Sequence, residues 1–293
     1  MASEMYSIKD LENLSGIKAH TIRIWEKRYG IVQPGRTDTN IRYYTNDDLR
    51  RLLNISMLTQ HGFKISAISQ MAEDEISRKI AGLSIGHHPD TYSESLLLSL
   101  IDLDEQLFNK TFLEILMGEG FEHAIIRYIF PFFNRIGMMW QIGTITPAQE
   151  HFISNLIRNK IIVATERISR TPDPSTGNAL LFLPENELHE ISLLFYNYIL
   201  RARGYKTIYL GQSVPHESLD RIITTCKPTL IVTNLTNPFS EEEFMDFCQL
   251  VCDTARGTPV YFTGPLAENI NRKLPGNALL KKDLLTRLNL ESE

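Results

Sequence analysis

Cysteine is scarce in this sequence. Only three of the 293 residues are cysteine, and they lie close together at Cys226, Cys248 and Cys252. Three clustered thiols are too few for a disulfide framework. Cys248 and Cys252 are four residues apart and could share one helix face, but no third and fourth ligand follow nearby. We therefore interpret them as buried thiols rather than as a zinc site.

Long apolar runs and targeting signals are also missing. No stretch of about 18 apolar residues occurs, which argues against a transmembrane helix. The first six residues lack the basic-then-apolar order of a secretory signal. The hydrophobic content of 43% and the charged content of 22% are ordinary for a globular chain of this length. We expect a cytoplasmic protein without a membrane partner.

The usual catalytic signatures are absent as well. No G-x-G-x-x-G motif follows the first predicted strand of the C-terminal half, so a dinucleotide site is not indicated. The sequence also contains no nucleophile–base motif, no phosphate-binding loop and no metal-ligand set with diagnostic spacing. We therefore do not expect an enzyme.

Positive charge is concentrated near the N terminus, although the whole chain has a net charge of -5. Between Lys18 and Arg51, eight basic residues stand against four acidic ones, and aromatic residues lie among them. A local excess of this kind is typical of a phosphate-binding surface. Charge runs are otherwise usually solvated helix faces, so the charge pattern alone leaves both interpretations open.

The periodicity of residues 6–80 predicts short helices interrupted by a β-wing. Ser7 and Asp10 form a capping-box pattern, and Ser15-Gly16-Ile17 predicts a tight turn between two helices. The turn-rich segment from Gly30 to Tyr44 suits the wing. Further helices are predicted after Thr45 and over Lys64–Ile80. A Gly- and Pro-bearing linker, Gly82–Tyr92, closes this region.

Four motifs in this region carry a resemblance to a known family: Tyr6-Ser7-Ile8, Ser15-Gly16-Ile17, Thr21-Ile22-Arg23-Ile24-Trp25-Glu26, and Arg42-Tyr43-Tyr44-Thr45 before Asp47-Asp48-Leu49. Together they resemble the winged helix-turn-helix of MerR-type transcription regulators, here assigned to residues 5–80. The resemblance implies binding to palindromic double-stranded DNA by a dimer or tetramer. It also implies these DNA-binding residues: Lys18, His20, Thr21, Arg23, Trp25, Arg36, Arg42 and Tyr43.

Residues 93–169 are predicted to form a bundle of four helices, because apolar residues recur there at helical spacing. Breaks are predicted at Gly118-Glu119-Gly120 and before Pro147. Trp140 ends one predicted helix, and Glu150-His151 follows in the next after nine intervening residues. A ligand could pack on the indole and bind the Glu-His pair. A core tryptophan with a surface Glu-His pair explains the same spacing.

After a Pro-rich linker, residues 177–291 alternate between strand and helix patterns, which predicts a doubly wound parallel sheet of the flavodoxin/Rossmann-like kind with about five strands. The first strand ends near Pro184, and His189 stands at the start of the next predicted helix. Open α/β sheets bind ligands beyond the carboxyl ends of their strands, so His189 is a candidate ligand-binding residue.

Trp140 with Glu150-His151 in the bundle, and Glu187-x-His189 in the α/β part, look like a cobalamin-binding module. Joined to the N-terminal motifs, they resemble the light- and cobalamin-responsive repressors of the CarH/LitR type. The resemblance implies adenosylcobalamin as cofactor, with His189 as the lower axial ligand of cobalt. It implies that Glu187 orients the imidazole and that Trp140 packs beside the deoxyadenosyl group. Glu150 and His151 would lie near that group or in oligomer contacts.

Thr233, Thr263 and Gly264 are the residues that the resemblance places along the nucleotide tail, with Asn234 as the alternative to Thr233. The family has glycine where this chain has Ser192 and Thr263. A side chain at either position would crowd the tail, because glycine's value there is its missing Cβ.

The chain is thus interpreted as a DNA-binding repressor controlled by cobalamin, with light as a candidate signal. One alternative is a regulator whose module no longer binds cobalamin and responds to a protein or another ligand. A second is a corrinoid carrier of a methyltransferase.

Overall fold

The computed structural model describes residues 6–37, 40–60, 62–73, 75–76, 79, 89–141, 145–236, 240–268, 270 and 272–290. The chain divides into two compact units, Met1–Leu156 and Ile157–Glu293, which are described separately. Within the described residues, every helix is too short or too polar to cross a membrane.

The first unit begins with short helices and a two-stranded wing. Its elements are α1 (Ile8–Ser15), α2 (Ala19–Tyr29), β1 (Gly35–Arg36), β2 (Arg42–Tyr43), α3 (Asn46–Gln60) and α4 (Ile65–Ile68). The predicted capping box forms, since Ser7 and Asp10 each accept the other's backbone N–H. Gly16 and Gly30 end α1 and α2 in the left-handed conformation. The strands β1 and β2 pair antiparallel, so the predicted winged helix-turn-helix is observed.

The helix predicted over Lys64–Ile80 is wrong as a single element. α4 ends at Ile68, and turn and bend residues follow before helix resumes at Glu73. The Ser69 hydroxyl donates a hydrogen bond to the Ser66 carbonyl at 3.0 Å. Serine hydroxyls that bind nearby backbone groups compete with helix hydrogen bonding, which accounts for the early end.

The rest of the first unit is helical. It contains α5 (Pro89–Ile101), α6 (Glu105–His123), a π-helical segment (Ala124–Ile129), α7 (Phe130–Gln141) and the start of α8 (Pro147–Glu166). Two predictions need correction. The linker predicted up to Tyr92 is too long, because Pro89 occupies the first helical position of α5. The break predicted at Gly118–Gly120 is a kink within α6, where Gly120 adopts φ 76° and ψ 169°.

Helix α3 packs antiparallel along α5, with polar contacts at both ends. Near the start of α3, Arg50 Nε donates to Asp102 Oδ1 at 2.8 Å. At its end, Gln60 donates to Glu94 Oε1 at 3.2 Å and accepts from the Thr91 hydroxyl at 3.1 Å. Apolar side chains of both helices are buried between these ends, including Leu52, Leu53, Leu96 and Leu97. The winged region and the bundle therefore share a packed core.

The second unit is a five-stranded parallel sheet with helices. Its elements are β3 (Asn178–Pro184), α9 (Ile191–Ala202), β4 (Lys206–Val214), α10 (His216–Cys226), β5 (Leu230–Asn234), α11 (Glu241–Ala255), β6 (Val260–Thr263), α12 (Pro265–Glu268), β7 (Ala278–Leu280) and α13 (Lys281–Arg287). The strand order is β4-β3-β5-β6-β7, and all pairs are parallel. The predicted doubly wound fold is confirmed.

The order in which the chain adds strands to the sheet reverses at β3. The chain moves from β3 outward to β4 and then returns to place β5 on the other side of β3. Such a switch point leaves a crevice beyond the carboxyl ends of the two central strands, where ligands of open α/β sheets bind. The segment after Pro184 and the residues ending β5, Thr233 and Asn234, lie at this edge. The predicted buried thiols are confirmed on α11, where burial raises the pKa of Cys252 to about 11.

Candidate functional sites

The predicted DNA-reading residues lie on and just before α2. Ile22 is fully buried and anchors the helix, whereas His20 and Arg23 are exposed on its outer side and Trp25 is half-buried. His20 Nε2 lies 3.3 Å from the hydroxyl of Thr21. Lys18 precedes the helix and pairs with Glu12 at 3.2 Å. An exposed helix face of this kind, carrying long basic side chains, can enter a major groove.

The wing presents its basic residues from the antiparallel pair β1–β2. Arg36 donates to Asn40 Oδ1 at 2.6 Å, within the turn of the wing. Tyr43 covers Gly35 so closely that a Cβ at that glycine would lie 2.2 Å from the ring. Arg42 lies 3.4 Å from Glu26 of α2. The wing therefore carries Arg36, Arg42 and Tyr43 on a framework tied to the reading helix.

Glu26 is the residue of α2 that contacts the wing, and the sequence analysis assigned it no role. Besides Arg42, it accepts a hydrogen bond from the buried Tyr44 hydroxyl at 3.3 Å. Burial and the Glu26 carboxylate raise the pKa of Tyr44 to about 12, so the phenol remains a donor near neutral pH. The available signal was its place beside Trp25 in the α2 motif.

The Glu150-His151 pair lies in the first turns of α8, which begins with the cap predicted for Thr146. Glu150 accepts a hydrogen bond from the Ser154 hydroxyl, and its other oxygen lies 2.9 Å from His151 Nδ1. The His151 side chain is exposed. Trp140 belongs to the last turn of α7, but its side chain lies outside the described part of the structure. The pair is thus observed as a unit, and its relation to Trp140 stays a prediction.

His189 lies in the loop between β3 and α9. The helix begins at Ile191, so the prediction that His189 starts the helix is wrong by two residues. The reason is Glu187, which draws the backbone away from helix geometry by accepting the His189 N–H at 2.9 Å. The same carboxylate oxygen lies 2.6 Å from His189 Nδ1. The Glu187 side chain is 1% exposed and the His189 side chain is 56% exposed.

This geometry sets the tautomer of the ring. A carboxylate can only accept, so Nδ1 carries the proton and Nε2 carries the lone pair that a metal would use. The second oxygen of Glu187 accepts the backbone N–H of Thr236, just after β5, at 2.7 Å. The carboxylate is therefore fixed from a neighbouring strand and holds the imidazole in one orientation.

The loop is tied to β4 as well. Asn186 donates its N–H to the Ser213 hydroxyl at 3.1 Å, and Gln212 donates its side-chain amide to the Leu188 carbonyl at 2.6 Å. Glu190, which sequence reasoning also missed, is buried and accepts hydrogen bonds from Arg158 of α8 and Tyr209 of β4. Its signal was a charged residue directly after His189, where the apolar pattern of α9 begins.

The predicted tail-binding residues lie at the ends of β5 and β6. Thr233 is fully buried, and its hydroxyl has no hydrogen-bond partner among the described residues. Thr263 donates its hydroxyl to the Thr233 carbonyl at 3.1 Å and to Asn234 Oδ1 at 2.9 Å. A Cβ at Gly264, which has φ +109°, would lie 2.0 Å from the Leu235 carbonyl oxygen. Gly264 is therefore required by the sheet edge itself.

These features fit a cobalt corrinoid. An oriented, half-exposed imidazole offers one nitrogen ligand, and the buried Thr233 hydroxyl has no hydrogen-bond partner among the described residues. Among the described residues, no group of three or more His, Cys, Asp or Glu side chains could hold a metal ion. A single imidazole suits a metal that brings its remaining ligands in a macrocycle.

Comparison with known proteins matches two regions of the chain to known families. Residues 6–75 match the MerR HTH family regulatory proteins, and residues 92–164 match the B12 binding domain. The chain is 29% identical over 277 residues to the HTH-type transcriptional repressor CarH of Myxococcus xanthus, covering 92% of each chain. By these matches, the N-terminal region is similar to MerR-type regulators and the helical region that follows is similar to B12 binding domains.

Two further proteins are similar to this chain. The HTH-type transcriptional repressor CarA of Myxococcus xanthus is 23% identical to this chain over 239 residues, which cover 81% of this chain and 78% of CarA. The Methanosarcina barkeri monomethylamine corrinoid protein superposes with a TM-score of 0.54 at 16% identity, over 69% of this chain and 99% of that chain. This last likeness shows the fold alone.

Proposed function

We propose that this chain is a DNA-binding transcriptional repressor whose C-terminal half senses cobalamin. The observation that carries the proposal is the His189 imidazole, oriented by the buried Glu187 at the switch point of the sheet. It stands in a chain that begins with a winged helix-turn-helix. A ligand-responsive repressor needs both parts, because the ligand must bind with different free energy to the DNA-binding and the released states.

His189 would hold the cobalt and Thr233 the nucleotide tail, with Thr263 and Gly264 beside it. Trp140, Glu150 and His151 would contact the upper ligand. The adenosyl form of the cofactor supplies a cobalt–carbon bond that light can break, which makes light a candidate signal. The residues themselves contribute orientation: Glu187 fixes the imidazole, and Thr233 offers a buried hydroxyl.

On the DNA side, the proposal assigns base contacts to α2 and phosphate contacts to the wing. The predicted residues are Lys18, His20, Thr21, Arg23, Trp25, Arg36, Arg42 and Tyr43. A homo-oligomer, dimer or tetramer, on a palindromic site is part of the proposal, since one winged helix reads only half of such a site. The proposal also includes a cytoplasmic location and a division of the chain into three domains, residues 5–80, 93–169 and 177–291.

Two features favour other functions. Ser192 and Thr263 replace glycines of the family, and Thr263 is engaged with Asn234, which favours a module controlled by another ligand. The fold shared with a corrinoid protein favours a carrier subunit of a methyltransferase. The winged helix-turn-helix opposes the carrier, because methyl transfer requires no DNA recognition. A methyl-transfer assay with no promoter binding would support the carrier.

The cofactor is tested by colour. Purified chain mixed with adenosylcobalamin in the dark is expected to retain red colour through gel filtration. His189→Ala should weaken retention about 10- to 100-fold and change the visible spectrum, because the axial ligand is removed. His123→Ala, an exposed histidine bonded to its own helix, is the matched control and should behave as wild type. Colourless wild-type protein would refute cobalamin binding.

The DNA claim is tested separately by gel shift on the chain's own upstream region, in the dark and after illumination, with and without adenosylcobalamin. A band that depends on cobalamin and disappears in light supports the full proposal. A shifted band that is the same with and without cobalamin supports a regulator that is controlled by another ligand.

A further inference from the structure

Glu190 is a buried carboxylate beside the imidazole. Its side chain is 7% exposed. One oxygen accepts a hydrogen bond from Arg158 Nε of α8 at 2.5 Å, and the other accepts one from the Tyr209 hydroxyl of β4 at 2.8 Å. Its backbone carbonyl accepts the Leu194 N–H at 2.8 Å, which starts the hydrogen bonding of α9. Glu190 thus joins a helix, a strand and the start of a second helix.

Tyr209 is the member of this network whose pKa is shifted. Burial, followed by the hydrogen bond to Glu190, raises the pKa of Tyr209 well above its ordinary value. The tyrosine therefore remains a neutral donor. Of the two side chains that donate to the Glu190 carboxylate in these hydrogen bonds, Arg158 is the positively charged one. Hydrogen bonds from an ionised donor to an ionised acceptor are roughly twice as strong as neutral ones.

The loop around His189 is held by polar contacts, to β4 through Asn186 and Leu188 and to α8 through Glu190. Glu185, Asn186, Leu188 and His189 are exposed, and the Leu188 side chain is 61% exposed, so the loop buries almost no apolar surface. Polar contacts must therefore fix it. Glu187 fixes the backbone before the imidazole, and Glu190 fixes the residue after it. Contacts at Asn186, Glu187 and Leu188 hold the loop before His189, and Glu190 adds the contact after it.

We propose that Glu190, held by Arg158 and Tyr209, is a positioning residue that fixes His189 for cobalt and ties its loop to α8. This rests on the proposed function, in which His189 binds the cobalt of cobalamin. Glu190 does not touch the imidazole in any described contact. It acts through the backbone of the adjacent residue.

The first test uses the chain without cofactor. Hydrogen–deuterium exchange of residues 186–192 is compared among wild type, Glu190→Gln and Tyr209→Phe. We expect exchange to rise at least tenfold in Glu190→Gln, and less in Tyr209→Phe, which removes one hydroxyl. The matched control is Glu166→Gln, which breaks the exposed pair with Arg201 between the same two helices. It should leave this exchange unchanged. Equal exchange in Glu190→Gln and wild type would overturn the positioning role.

The second test measures ligation in the loaded protein. The visible spectrum of bound adenosylcobalamin in the dark is followed while acid displaces the imidazole. Protons and cobalt compete for the same nitrogen, so a tenfold weaker ligation raises the pH of half displacement by about one unit. We expect a rise of this size in Glu190→Gln, with wild-type behaviour in Glu166→Gln.

Arg158→Met separates positioning from electrostatics. Glu190→Gln removes a negative charge near the loop, and Arg158→Met removes a positive one. A purely electrostatic effect would move the two midpoints in opposite directions, because each change would alter proton affinity with opposite sign. Loss of positioning raises both. Opposite shifts, or none, would overturn the inference.

The two proposals fail in different ways. Wild-type protein that stays colourless refutes cobalamin binding and with it the ligand part of the present inference. If the wild-type protein is coloured but the pH of half displacement is unchanged in Glu190→Gln and Arg158→Met, the positioning role is refuted and cobalamin binding is not. If Arg158→Met fails to fold, the pair Glu190→Gln and Tyr209→Phe still decides the inference through the exchange measurement and the midpoint.

Discussion

The DNA-reading surface and the His189 site differ in how their side chains are held. On α2, His20 and Arg23 are exposed, Thr21 and Trp25 are partly buried, and the buried Ile22 lies in the same helix. At the switch point, the exposed imidazole contacts the buried Glu187, which is bound from the segment after β5, and the adjacent buried Glu190 is bound by residues of α8 and β4. A surface that reads DNA can lose single contacts without losing its shape. A metal ligand depends on its supports.

The largest expected effect is at Glu187. Glu187→Ala removes the acceptor of the His189 ring and of two backbone N–H groups, those of His189 and Thr236. We expect cobalamin affinity to fall about 100-fold. Because two backbone N–H groups lose their acceptor, the free energy of unfolding should also fall by about 1–3 kcal/mol. Equilibrium dialysis and urea unfolding measure the two quantities.

Glu185→Ala is the matched control for Glu187, since Glu185 lies in the same loop but is exposed. It should change neither quantity. If Glu187→Ala bound cobalamin as tightly as wild type, the imidazole would not need a buried carboxylate, and the contrast between the two sites would disappear.

The next effect is at Arg23 on the exposed face of α2. Arg23→Ala should weaken DNA binding about tenfold, as expected for loss of one base-contacting arginine. The free energy of unfolding should change by less than about 0.5 kcal/mol, because an exposed side chain is removed. Fluorescence anisotropy on the operator at several salt concentrations measures the affinity. Arg201→Ala removes an equal charge from the second unit and serves as the control.

A large loss of stability in Arg23→Ala, with proportionally lost DNA binding, would contradict the comparison. It would mean that this face of α2 is structural and that its exposure is misleading.

The two sites also differ in what sequence can predict. The Glu187-x-His189 spacing is local, so the pair could be assigned from neighbouring residues, and the structure places the two side chains in contact. Glu190 stands next to His189, yet its partners Arg158 and Tyr209 are 32 and 19 residues away. Only the packing of α8 and β4 around the loop brings them together. The same holds for Glu26, whose partners Arg42 and Tyr44 lie across the wing.

Strand and helix positions were largely predictable because apolar periodicity records burial. Leu230–Asn234, Glu241–Ala255 and Ala278–Leu280 are observed with the predicted bounds. Strand β4 extends beyond the predicted Leu210 to Val214, because Gly211 adopts φ +81° and lets the strand continue through an irregular register with β3. Side-chain identity alone does not predict such an irregularity.

The smallest effect is expected at the pair Arg50–Asp102 between α3 and α5. It resembles the Arg158–Glu190 pair in chemistry and distance, with 2.8 Å between Nε and the carboxylate. Both its side chains are about one-third exposed, however, and Arg50 has Asp47 as a second partner. Arg50→Ala should therefore lower the free energy of unfolding by less than about 1 kcal/mol, and salt should reduce the effect.

Urea unfolding of Arg50→Ala, Asp102→Ala and the double variant gives the coupling energy of this pair directly. The same cycle on Arg158 and Glu190 should give a larger value, because removing Arg158 leaves a buried carboxylate with one neutral donor among these hydrogen bonds. If the two cycles gave equal values, burial would not be what separates them, and α3 and α5 would depend on their ion pair rather than on the leucines between them.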